Sequence, residues 1–304
     1  MKSNLRHYLI QCHVLLLCTM FSEIGAQPIA TSLDGMMNLN RPRDESARKR
    51  IAPEAADIET YKSFLKLPKT GITRLVTQKP CDIPFEKWAS DLDKFAKECP
   101  TQYIPGGGSS FSFRKEDYTF APHADITMKG KLLYSMGTLA QGIMVSLGDV
   151  PLGEVSLKSD GMTFLDEFAP GRTAEEIDLQ TAALNAGVQN GKYLYSRGFN
   201  IEPDSTFGLR VVAYRANLQK DIQLSDEQKA KIDRAIRDNP NPIFRELGGV
   251  PVDPVIKSDP LFGDVRKDII VAFRITKVAP DGSVTLIWKE LKRTDSPKFE
   301  VKKK

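Results

Sequence analysis

The sequence predicts an α+β fold: a strand-rich antiparallel sheet body with two or three packed helices and a C-terminal helix plus β-hairpin extension. Three observations carry this expectation. In Ser110-Phe111-Ser112-Phe113-Arg114 phenylalanine alternates with polar residues, the period of a half-buried strand. Short apolar runs then recur between Gly130, Gly137, Gly148, Gly153 and Gly161, as a meandering antiparallel sheet requires. Near the C-terminus two β-rich runs, Asp268 to Val278 and Ser283 to Lys289, flank Pro280-Asp281-Gly282, a strong hairpin signature.

Taken in order, the chain opens with an address. Lys2 and Arg6 precede an apolar run from Tyr8 to Phe21, and Ala26 closes the segment. That arrangement is a secretory signal peptide over residues 1–26, too short in its apolar part to span a bilayer. Residues 27–55 contain few large apolar side chains and a mixed charge run that includes Arg48-Lys49-Arg50. Such a stretch reads as a flexible linker with a solvated basic patch.

A main α+β domain is expected over 56–218. Pro53 precedes a short helix carrying Ile58, Tyr61, Phe64 and Leu65, and 71–78 reads as a strand. Pro84 opens an amphipathic helix with Phe85, Trp88, Leu92 and Phe95 on one face. Further strands are expected at 118–120, 124–128, 131–136, 139–147, 154–158, 193–200 and 207–214. Ile143-Met144-Val145 lies on a strand expected to be buried on both faces. Thr173-Ala174-Glu175-Glu176 has the capping-box spacing and starts a helix that runs to about Ala186. Residues 219–304 form the extension, separate or part of the same domain: a charged helix after Ser225, a proline-punctuated connection, then the hairpin.

Composition excludes several classes of function. With 43 basic against 39 acidic residues the net charge is +4, which gives no reason to expect a nucleic-acid partner. Signal removal takes away His7, His13, Cys12 and Cys18, so the mature chain keeps His123, Cys81 and Cys99. A lone imidazole excludes His-based metal centres of ordinary ligand count, and neither a metal nor a cofactor is expected. Asp160, Asp166, Glu167, Glu175 and Glu176 are acidic neighbours without calcium-loop spacing. The echoes of sortase and penicillin-binding motifs in Ser63-Phe64-Leu65-Lys66 and Leu67-Pro68-Lys69-Thr70-Gly71 fail on position.

Three candidate sites remain. Cys81 and Cys99 are expected to form a disulfide in an oxidising compartment. A helix between them would hold its ends about 20 Å apart, so the bridge requires that both flanks fold back or that the helix stops early. His123, with Asp125 two residues on and Ser109 or Ser110 as nucleophile, could form a relay, although no nucleophile-elbow motif exists; a plain turn after Pro122 is the competing reading. Gly106-Gly107-Gly108 could admit a ligand to its backbone, but lacks the lysine of a phosphate loop and reads first as a sharp turn.

The function expected is that of an exported, secreted or periplasmic, non-catalytic binding or envelope-associated protein with a protein, peptide or small-ligand partner. No transmembrane span is expected after signal cleavage. The alternatives are a small serine-type hydrolase using His123, and an apolar-ligand carrier whose cavity is lined by 143–147 and the Phe111/Phe113 strand.

Overall fold

The computed structural model describes residues 47–77, 98–99, 101, 104–135, 137, 139–215 and 265–300. Within them antiparallel sheets predominate and helices are few. The strands are β1 (Thr70–Leu75), β2 (Ser110–Ser112), β3 (Asp117–Tyr118), β4 (Ile126–Lys129), β5 (Leu132–Tyr134), β6 (Ala140–Gly148), β7 (Val188–Asn190), β8 (Tyr193–Ser196), β9 (Gly198–Asn200), β10 (Thr206–Ala213), β11 (Lys267–Val278) and β12 (Val284–Asp295). The helices are α1 (Ala55–Thr60), α2 (Lys62–Leu65), α3 (Thr163–Glu167) and α4 (Ala174–Ala186).

Two sheets result. The larger has seven strands in the order β1-β12-β11-β10-β6-β8-β7, and the smaller five in the order β3-β2-β4-β5-β9. Their arrangement follows from strand alternation. Phe207, Leu209 and Val211 of β10 stand opposite Phe273, Val271 and Ile269 of β11. All six face Phe111, Phe113, Ile126 and Leu133 of the small sheet, and this inter-sheet layer is one core. The Phe113 ring stacks on Phe273 at 6.0 Å and meets Trp288 edge-on at 5.6 Å. The opposite face of the large sheet, with Ile143, Val145, Ile270 and Ala272, is covered by Leu152, Met162, Leu165 and Leu184 from the helical segments. The central strands are therefore buried on both faces, as expected for Ile143-Met144-Val145.

Two buried ion pairs lie in these layers. Arg210 of β10 grips Asp268 through two bonds of 2.9 and 2.7 Å. Its remaining nitrogen donates to the carbonyls of Leu165 and Phe168, which ties the C-terminal end of α3 to the sheet. Arg114 and Asp125 form the second pair, described below.

The expected elements hold in outline, with three differences. Glu154 to Lys158 is not a strand: a single 3-10 turn spans Leu152–Glu154. The Ser159 hydroxyl there accepts from the Ser156 N–H at 2.8 Å, and such local bonds compete with a ladder. The run 193–200 divides at Arg197 into β8 and β9, which belong to different sheets. Residues 47–51, placed in the linker, are helical, with Ala47 and Ile51 buried against Val76 and Ile104. Arg48 of the basic triplet pairs with Asp117. The C-terminal hairpin takes one of the two placements left open for it, since β11 and β12 lie inside the large sheet. The helices expected at 84–97 and after Ser225 lie outside the described residues. Among the described residues no helix is long and apolar enough to cross a membrane.

Candidate functional site

The residues singled out from sequence gather along β2 and β4. Pro105–Gly108 forms a 3-10 turn that enters β2, and Ala121–His123 forms another that enters β4. The two strands pair antiparallel, with Ser110 opposite Thr127 and Phe111 opposite Ile126. Ser110 and His123 consequently lie at opposite ends of the pairing. Thr127 is four residues beyond His123, roughly 13 Å at the rise of a strand.

Each candidate group has a structural occupation. The Ser110 hydroxyl is buried and shares a 3.0 Å hydrogen bond with Thr127, while the Ser109 hydroxyl donates to the Gly106 carbonyl at 2.8 Å. Asp125 does not orient His123: it accepts from Arg114 Nε at 2.6 Å, from the Arg114 backbone N–H at 2.9 Å and from the Ser112 hydroxyl at 3.1 Å. A buried carboxylate needs such partners to stay charged. His123 sits in the turn that follows Pro122, and its carbonyl accepts from Arg114 Nη2 at 2.9 Å. The geometry thus brings these groups to one pair of strands without aligning a relay.

Gly106, Gly107 and Gly108 all take left-handed backbone angles, at φ 65°, 63° and 75°. A β-carbon on Gly106 would come within 2.4 Å of the Thr119 carbonyl, and one on Gly108 within 2.7 Å of Val76. The Gly108 carbonyl accepts from the Val76 N–H at 3.0 Å. This loop is packed against its own protein and acts as the turn into β2. Phe111 and Phe113 likewise pack into the aromatic layer between the sheets, with their ring centroids 5.4 Å apart. Cys99 is buried, and Cys81 lies outside the described residues. No group of three or more metal-ligating side chains occurs among the described residues.

A different feature stands out at the border of the large sheet. The Glu290 N–H donates to the Lys69 carbonyl at 2.9 Å, so by alternation Gly71, Thr73 and Leu75 bond to β12. Thr70, Ile72 and Arg74 therefore turn their backbone groups away from the sheet. At one end this outward side is closed: the Tyr118 hydroxyl donates to the Arg74 carbonyl at 2.6 Å, and Val76 bonds to Gly108. At the other end, among the described residues, no group bonds to the outward N–H and C=O of Ile72. The Ile72 side chain, with Tyr61 and Phe64 of the preceding helices, packs half-buried on the helical-side core.

On the opposite face the Trp288 indole lies across Gly71. The position of a β-carbon there is 2.4 Å from Cζ2 and 2.8 Å from Nε1. Trp288 is only 3% exposed, and its Nε1 has no hydrogen-bond partner among the described residues. Beside it runs a charge network. Lys69 Nζ meets Glu290 Oε1 at 3.0 Å, and Arg293 Nε donates to Glu290 Oε2 at 2.7 Å. Arg293 Nη1 then donates to the Arg114 carbonyl at 3.2 Å, joining this border to the buried Arg114/Asp125 pair.

Sequence reasoning missed this border. An isolated glycine within a strand, Gly71, was the one available signal, since it marks a close approach by another group. The chain matches no family model, no curated protein and no solved structure.

Proposed function

We propose that this is an exported binding protein that takes up an extended peptide segment by strand addition to the outer edge of β1. The observation that carries the reading is the outward N–H and C=O of Ile72, which nothing bonds among the described residues. Exposed ladder groups of this kind are a template for another extended chain, and proteins that do not use such an edge usually blunt or cover it. Half-buried Tyr61, Phe64 and Ile72 offer an apolar seat beside the ladder for alternate side chains of the peptide. Export rests on the N-terminal pattern over residues 1–26, and the expected Cys81–Cys99 bridge accords with it. Edman sequencing from Gln27 and a Cys81–Cys99 peptide in a non-reducing digest are the expected findings on exported protein. An intact leader on cytosolic protein would overturn the export reading.

The test uses a property of edge strands. The N–H of Ile72 points away from β12, so Ile72→Pro removes a docking donor without removing a bond of the sheet. A random peptide library displayed on phage and panned against the wild-type protein is expected to yield an apolar-alternating consensus. The same peptides should bind Ile72→Pro at least tenfold more weakly and Ile72→Val almost unchanged. Equal binding by wild type and Ile72→Pro, or no enrichment at all, would sink the reading.

A further inference from the structure

We infer that Trp288 is the specificity determinant of this edge: its indole N–H donates a hydrogen bond to an acidic side chain of the bound peptide. The inference rests on the strand-addition reading. Three observations on the Gly71 side of β1 lead to it.

First, Trp288 Nε1 is a buried donor without a partner among the described residues. Such groups are uncommon, and leaving one unpaired carries a desolvation cost of roughly 1–3 kcal/mol. Second, what lies beneath the indole is a residue without a side chain. Any other residue at 71 would collide with the edge of the ring that carries Nε1, whereas Gly71 lets that edge lie directly on the backbone of β1. Gly71 itself is only half-buried and lies on the sheet's outermost strand.

Third, strand parity fixes which part of the peptide arrives there. Ile72 supplies the outward ladder bonds, so the peptide residue facing Gly71 sits at a non-hydrogen-bonded position. Its own N–H and C=O point away, and its side chain stands on the Gly71 face, closest to the neighbouring strand. The acceptor for the indole is therefore a side-chain oxygen. Lys69, with a side chain 62% exposed, and Arg293 both pair with the one Glu290 carboxylate on this face, and the group's net positive charge favours a carboxylate there. The next peptide residue falls on the opposite face, beside Ile72, Tyr61 and Phe64. The recognised chemistry is an extended segment with aspartate or glutamate next to an aliphatic residue.

The experiment takes the mature chain with Trp88→Phe, which leaves Trp288 as the only indole. The probe is the peptide most enriched by phage panning, together with its variant carrying alanine in place of the acidic residue. Trp288→Phe is expected to weaken binding of the parent peptide about tenfold, the scale of one charged hydrogen bond. It should add little to the loss already caused by the alanine peptide. In the Trp88→Phe protein the single ¹⁵N-indole proton resonance should move downfield when the parent peptide is added, a readout that does not depend on the folding of a Trp288 variant. An unmoved indole resonance, or equal affinity of Trp288→Phe, overturns the inference while the strand-addition reading stands if Ile72→Pro still abolishes binding. Retention of binding by Ile72→Pro removes both.

Discussion

Glu290 illustrates how one side chain is set by groups far away in sequence. Burial works against its carboxylate, but hydrogen bonds from Arg293 and Lys69 overcome that cost and hold the group below the ordinary glutamate value of 4.5. A carboxyl whose folded pKa is depressed contributes stability that is complete above its unfolded value and fades as pH falls through the folded one. Glu290→Gln is therefore expected to unfold at lower urea than wild type at pH 7, with the gap narrowing as pH drops below about 4.5. Denaturation midpoints across that window check it, and a gap independent of pH would contradict it. The partner Lys69 lies 221 residues away, a pairing that local patterns cannot reveal. Asp125 teaches the same lesson from the opposite side. Two residues from His123 it was the relay's nearest carboxylate, though a poorly placed one; burial just before β4 demands a cation, and Arg114 supplies it.

At the scale of elements, local chemistry was legible wherever an element closes its own bonds. The capping box at α4 is present as expected: the Glu176 N–H reaches the Thr173 hydroxyl at 3.3 Å, and the Glu176 carboxylate accepts from the Thr173 N–H at 3.2 Å. Thr173→Ala should cost about 1 kcal/mol of unfolding free energy. Urea titration monitored by far-UV circular dichroism measures it, and an unchanged midpoint would show that the cap does not hold α4. The hairpin around Asp281 was equally plain, because turn type and alternation both lie in one short stretch. The division of 193–200 was not. Tyr193, Tyr195 and Phe199 continue one alternating phase, yet the first two pack on the helical-side core and the third between the sheets. The chain changes sheet at Arg197, and nothing in the spacing distinguishes a strand from two strands that share a phase.

For the whole molecule, the decisive fact is that the last strands are central. β12 lies between β1 and β11, so the sheet that starts with residue 70 is completed only by residue 295. A chain ending at residue 218 loses Ile269, Val271, Phe273 and Ile275 from the inter-sheet core, together with the ladder partners of β1 and β10. It is expected to lack a cooperative urea transition and to be digested by thermolysin under conditions that the full chain resists. A cooperative, protease-resistant 27–218 fragment would restore the picture of a separate extension. The proposed binding edge depends on the same closure, since both Trp288 and the inward bonds of Gly71 come from β12.

The amino-acid sequence by itself determined the strand-rich α+β class, the α4 cap, the C-terminal hairpin and the turn at Gly106–Gly108. Each of these is written in contacts or backbone angles between near neighbours. Only the tertiary structure decided which strands share a sheet, which carboxylates are held by which arginines, and that among the described residues no group bonds the outward side of Ile72 beside the Trp288 indole. Those outcomes depend on pairing between residues far apart along the chain. There the energy lies in burying surface and satisfying polar groups together, and neither leaves a periodic mark in the sequence.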